Sequence, residues 1–424
     1  MQRIFSTVDW ANGSNIYEVN VRQYSAEGTF EAFRQHLPRL RDMGVEILWF
    51  MPITPISIAE RQGTLGSYYA CSTYTDVNPE FGTIADFKTL VAEAQELGFR
   101  VIIDWVANHT GYDHHWTEEH PDWYKKDEQG RFMELNGWAD VIDLDYHNQD
   151  MRQEMIRCMR FWLETCNIDG FRCDMAHLVP LDFWEEARKA CEQERPLFWL
   201  AESDVLHYHQ VFDATYCWHW MHVTEKYARG KASLDDVHDI LQEYNQYPPG
   251  SQKLFFTTNH DENSWNGTEY EKYGRSAQAL AVFTATWPGL PLIYSGQELP
   301  NHQRLKFFDH DPIHWTAPVQ LHSFYQTLLQ LRKRNTALHF EGVNHTILNS
   351  CNDKVFSFVR FNGKDAVLVV LNLSADSRVQ VAVDHQMLQG NYRNVFSGFS
   401  FRFGRTVSFE LDAGEYVVYE KKGE

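Results

Sequence analysis

The chain has no apolar run near the roughly 20 residues that span a bilayer, so a helical membrane protein is excluded. Positive charge is also scarce. Lys and Arg number 38 against 58 Asp and Glu, a formal net charge of −20, and such a surface repels polyanions, which removes nucleic acid as an expected partner. Seven cysteines lie between Cys71 and Cys351 with no CxxC pair, so neither a disulfide framework nor a zinc site is expected, and reduced thiols are. No charged-then-apolar leader opens the sequence. The expectation is a cytoplasmic protein, although the trimmed form of an exported one reads the same. There is no internal repeat, low-complexity tract or charged tail.

What is present is length and aromatic content. At 424 residues the chain exceeds one small core, and one large domain with a satellite is expected. Aromatics make up 15% of residues, more than core packing requires, and suit stacking against sugar rings.

Eight short apolar runs recur, each followed by a stretch of helical period. They start at Ile16, Val45, Phe99, Ile168, Leu197, Val211, Leu254 and Leu290. Eight strand-helix units are what a closed (β/α)8 TIM barrel needs, which makes the fold class α/β. Between the third and fourth runs, residues 108–145 are rich in His, Trp, Asp and Glu and read as a short inserted lobe. After residue 335 the pattern changes to strands and turns, as in VFSFVRF and DAVLVVLNL. The expected division is a barrel over 1–335 and a C-terminal all-β sandwich over 336–424.

A barrel gathers the C-terminal ends of its strands around one pocket, and four of these runs end in polar or ionisable candidates for it. They are Asp104, Asn108 and His109; Arg172 and Asp174; Glu202; and His260 and Asp261. A carboxylate on a buried strand is unfavourable unless paired or catalytic, so convergence of several at one rim points to a reactive site. Acetal cleavage with retention needs one carboxylate to attack and one carboxylic acid to protonate the leaving oxygen.

The motifs DWVANHT (104–110), GFRCDMAHL (170–178), AES (201–203) and FTTNHDEN (256–263), in that order, resemble those of glycoside hydrolase family 13, the α-amylase family. Flanking segments IYEVNVRQY, YYACSTYTDVNPEFGT and GLPLIYSGQE agree with the resemblance. It implies a retaining α-glucan hydrolase with Asp174 as nucleophile, Glu202 as acid/base and Asp261 as the carboxylate that stabilises the transition state. It also implies substrate contacts from Tyr69, Asp104, His109, Arg172 and His260, and His177, three residues after Asp174, is expected to meet the sugar on the leaving side. No cofactor is needed for that chemistry. Asn108 matches a calcium-binding asparagine of relatives, with Asp140, Asp143 and Asp145 as companion candidates, so a structural calcium is a further expectation.

Two segments depart from the family pattern. Where a Lys-His pair usually follows the nucleophile, this chain has His177 and Leu178, and VIDLDYHN (141–148) fits neither the α-1,4 nor the α-1,6 pattern. Starch, maltooligosaccharides and cyclodextrins are therefore all expected substrates. A transglycosylase or an α-glucosidase of the same family is the alternative. A non-catalytic carbohydrate-binding or transporter-associated protein on this fold is the remote one, and it predicts lost carboxylates and a membrane anchor. The first strand falls at the start of the chain, with no extra N-terminal β domain before it, and a monomer is expected. The histidines His114-His115 and His207-Tyr208-His209 lack a third metal ligand at the required spacing.

Overall fold

The computed structural model describes residues 3–248 and 250–423. Eight parallel strands close into a barrel: β1 (Ile16–Val19), β2 (Ile47–Phe50), β3 (Arg100–Trp105), β4 (Gly170–Cys173), β5 (Phe198–Ala201), β6 (Ala214–Tyr216), β7 (Gln252–Phe255) and β8 (Leu290–Tyr294). Each pairs with its sequence neighbours, and β8 returns to β1 with Ile16 opposite Leu292. Nearly every strand residue is buried, because one face meets the barrel interior and the other the surrounding helices, so the strands read as unbroken apolar runs. Gly170 opens β4 because a Cβ there would lie 2.0 Å from the Phe198 carbonyl oxygen on β5.

The helices carry their own start signals. In the helix Ile84–Glu96, Thr83 and Asp86 form a capping box, and Phe87, Leu90, Val91 and Ala94 make the buried stripe. Among the described residues no helix is long and apolar enough to cross a membrane.

The insertion after β3 is a lobe built on a small antiparallel pair, His109–Gly111 with Val141–Asp143, and on short helical turns at Trp116–Glu119 and Pro121–Trp123. After the helix His322–Arg334 the regular structure is β apart from single 3-10 turns at Thr336–Leu338 and Gln386–Leu388. A six-stranded sheet lies between the barrel and a two-stranded sheet, Val379–Asp384 with Thr406–Leu411. One face of the larger sheet, with Phe356, Phe358, Val367 and Val369, shares a core with Phe283 and Leu280 of the barrel helix Ala277–Thr286. The other face packs Val355, Val359 and Leu368 on Val379, Val381 and Val383.

Candidate active site

Parallel register brings the carboxylates together. Cys173 on β4 stands opposite Ala201 on β5, so the next residues, Asp174 and Glu202, emerge side by side at the barrel mouth. Their backbones are tied to the neighbouring strands: Asp174 N–H donates to Trp105 O (3.0 Å) and Glu202 N–H to Cys173 O (3.0 Å). Arg172, fully buried, lies beneath both. Its Nη1 is 3.1 Å from Asp174 Oδ1 and 2.9 Å from Asp104 Oδ1, and its Nη2 is 2.8 Å from Glu202 Oε2. The Nη2 contact is an ion pair whose angles fall short of a hydrogen bond. One guanidinium thus bridges the pair, which keeps the two carboxylates close, as retention requires.

Burial raises the Asp174 carboxyl, and the adjacent Glu202 raises it further, while Arg172 opposes both. Two carboxylates this close resist carrying two negative charges, which is why Glu202 adds to the effect of burial on Asp174. Met175, the residue after Asp174, is held left-handed (φ 39°), and its N–H donates to Glu202 Oε2 (3.0 Å). A non-glycine residue in that region is strained, and here the strain aims a donor at the acid/base candidate.

Asp261 lies on the opposite wall. The run that reads as a strand through to Asp261 stops at Phe255, and a short loop leads to His260 and Asp261, which open the helical turn that continues over Glu262–Asn266. The buried His260 links that turn to β1. Its Nδ1–H donates to Glu18 Oε1 (2.5 Å), and its Nε2–H faces Tyr69 Oη (2.8 Å) and Asp261 Oδ2 (3.2 Å). Tyr69 in turn donates to Asp104 Oδ2 (3.1 Å). Burial opposes charge on His260, but Asp261 and Glu18 raise it well above the usual histidine range. Burial alone would raise Asp261, yet the imidazolium holds it below the usual carboxylate range. Nothing in the linear order pairs Glu18 with His260, although an acid inside the apolar run IYEVNV is itself a signal of a buried partner.

Glu18→Gln keeps an acceptor at His260 Nδ1 and removes the charge that sustains the imidazolium. The charge on His260 is lost as pH rises through its pKa, and the substitution lowers that pKa. The alkaline limb of kcat/KM is therefore expected to move to lower pH, with activity recovered on acidification. A pH-rate profile superimposable on that of the parent protein would contradict the role.

The carboxylates face a cavity of about 520 Å³, lined also by Tyr69, His109, Trp138, Trp265, Phe307 and Phe308. Its volume is that of a small-ligand site. His109 is buried and its pKa is lowered to about 3, so it is neutral and offers a donor. Asp104, Arg172 and His260 lie beneath the cavity and reach it through Tyr69, Asp174 and Asp261. His177 is exposed and lines an adjoining depression, which shares Met175 and Glu202 with the main cavity. A larger cavity, about 820 Å³, lies away from this chemistry, between the N-terminal end of β7 and the C-terminal sheet. The aromatic content and Tyr69 are legible in the sequence, but which of Trp138, Trp265, Phe307 and Phe308 reach the cavity is not, because each is placed only by loop folding.

Of the expected calcium ligands only Asn108 and Asp143 come together. Asn108 Nδ2 donates to Asp143 Oδ1 (3.4 Å), and Asp143 Oδ2 pairs with Lys125 Nζ at 3.2 Å. Asp140 lines the active-site cavity, and Asp145 accepts from the backbone and ring of His147. Calcium takes six to eight oxygen ligands, and among the described residues no group of three or more His, Cys, Asp or Glu side chains is placed to hold a metal. The residues present do not fit the ion, and the Lys125 ammonium supplies the positive charge beside Asp143. Lys125→Ala is expected to destabilise the protein by roughly 1 kcal/mol, since solvent screens a one-third exposed lysine. A chelator should leave the parent melting temperature unmoved, and a calcium-dependent rise in it would contradict this. His114 and His209 are buried, one bonded to Trp116 N–H and the other to Thr215, as core histidines.

Residues 9–134 and 120–311 match the family description "Alpha amylase, catalytic domain", and residues 347–423 match "Alpha amylase, C-terminal all-beta domain". The chain is 31% identical to a noncanonic maltogenic alpha-amylase, AmyB, from Thermotoga neapolitana (TM-score 0.89, covering 96% of this chain and 98% of that one). It is 30% identical to an alpha-amylase from Lactobacillus plantarum (TM-score 0.85, covering 97% and 99%). Alpha-amylase MalA from Haloarcula japonica is 26% identical over 396 residues, which are 88% of this chain and 57% of MalA. The chain thus spans little more than half the length of that relative.

Proposed function

From the premise that the chain belongs to the α-amylase family, glycoside hydrolase family 13, we propose that it hydrolyses α-glucans, cleaving α-1,4-glucosidic bonds with retention through a covalent intermediate on Asp174. The observation that carries the reading is the Asp174–Glu202 pair, bridged by Arg172 at the mouth of an aromatic-lined cavity.

In this mechanism a glucosyl ring lies against Tyr69, with its glycosidic oxygen beside Glu202. That oxygen accepts a hydrogen bond from Glu202, which acts as the acid, and Asp174 acts as the anionic nucleophile. Asp174 attacks the anomeric carbon as Glu202 protonates the departing oxygen. Glu202, now a carboxylate, deprotonates the water that releases the sugar. Asp261, held anionic by His260, is placed to stabilise positive charge developing on the ring. Arg172 and Asp104 act as positioning residues beneath these groups. His177 lies on the leaving-group side and offers a hydrogen bond to the departing sugar. That depression also seats an acceptor sugar, which keeps transglycosylation as the second reading.

Proton NMR of the first product formed from maltooligosaccharides, read before mutarotation, tests the proposal. Retention gives the α-anomer first, and an initial β-anomer would remove Asp174 as nucleophile.

A further inference from the structure

The two ends of the site are built differently. The loop after β2 is tied to the lobe on one side, where Ile58 and Ala59 N–H donate to Asp113 Oδ2 (2.8 and 3.1 Å). On its other side it is tied to the loop after β8. Thr64 donates through N–H and Oγ1–H to Asp309 Oδ1 (2.9 and 2.6 Å), and Leu65 N–H to Phe308 O (2.9 Å). Arg22, buried beneath both loops and paired with Glu80 (2.8 Å), donates to Gly66 O (3.0 Å) and Phe307 O (3.3 Å). The approach is close enough that a Cβ on Gly63 would lie 2.4 Å from Phe308 Cβ. Lobe, β2 loop and β8 loop therefore form one continuous rim, and Phe307, Phe308 and Trp265 stand against it.

Past Glu202 the cavity continues instead into a depression of about 440 Å³, lined by His177, Val205, Trp218 and His222. Glu202 protonates the leaving oxygen, so the leaving chain extends on this open side. The glycone, which is the non-reducing side of an α-glucan, faces the walled side.

Resting on the hydrolase reading above, we infer that the protein acts at chain ends: the non-reducing terminus of a linear α-glucan enters the walled pocket, and the bridge of Thr64 and Leu65 to Phe308 and Asp309 stops it. An internal segment cannot thread through, because the rim blocks the chain beyond the first few rings. The product is then a short oligosaccharide of fixed size released from the non-reducing end.

The test compares maltoheptaose with a maltoheptaoside whose terminal 4- and 6-hydroxyls carry a benzylidene acetal, both labelled at the reducing end and followed by chromatography. The blocked substrate is expected to have a kcat/KM at least 50-fold lower. The unblocked one should yield a single unlabelled product size in the first turnovers. Asp309→Ala and the milder Thr64→Ala, both outside the catalytic groups, loosen the bridge and should raise the blocked-to-unblocked ratio at least 5-fold. Having two variants covers the case in which Asp309→Ala fails to fold. Equal rates on both substrates with a spread of labelled products from the outset would overturn the chain-end inference and leave the hydrolase reading intact. No cleavage of either substrate by the parent protein would overturn both.

Discussion

Asp174→Asn is expected to lower kcat by on the order of 10⁵-fold or more, the scale on which removal of a covalent nucleophile acts. The amide keeps the shape of the side chain and its acceptor to Arg172 Nη1 (3.1 Å in the parent), so lost activity would report lost nucleophilicity and not a collapsed site. Stability should move the other way. Burial and Glu202 raise the Asp174 carboxyl above its unfolded value. Its ionisation therefore opposes folding at every pH above that unfolded value, and the neutral amide removes this opposition. The melting temperature at pH 7 is expected to equal or exceed that of the parent, as happens where a site holds strained charge for function. Activity within tenfold of the parent, on the same substrate and in protein free of contamination, would remove Asp174 from the mechanism.

Glu202→Gln separates the two halves of the reaction. With natural oligosaccharides, whose leaving groups need protonation, kcat should fall by roughly 10²–10⁴-fold. An α-glucosyl or α-maltosyl fluoride leaves without help, so formation of the intermediate is spared while its hydrolysis, which needs the lost base, is not. The ester on Asp174 should then accumulate and appear by mass spectrometry as a glycosylated peptide covering residues 170–178. A burst of fluoride equal to the enzyme concentration, followed by slow turnover, is the kinetic counterpart. Equal losses with fluoride and oligosaccharide, with no trapped peptide, would assign Glu202 another role.

Much of the fold is legible in the linear chain for a simple reason. Barrel strands buried on both faces become apolar runs that need no partner to be recognised, and all eight runs form strands. Their ends are less legible. LFFTTNHD continues to Asp261 as a pattern, but the strand stops at Phe255, because Asn259 Oδ1 accepts Glu262 N–H (2.8 Å) and the chain turns helical there. The C-terminal strands are equally readable, whereas the division into a six-stranded and a two-stranded sheet depends on long-range pairing.

The sequence by itself determined the order of the carboxylates and, for two of them, their place at a strand end, since each lies in a short motif whose neighbours position it locally: Asp174 two residues after Arg172, Glu202 directly after the β5 strand. Only the tertiary structure decided what charges and encloses them. Glu18 reaches His260 across 242 residues, and Thr64 reaches Asp309 across 245. Lys125 meets Asp143 where calcium ligands were expected. Such contacts join loops and strands distant in the chain, and neither periodicity nor spacing records them, because their geometry exists only once the barrel has closed.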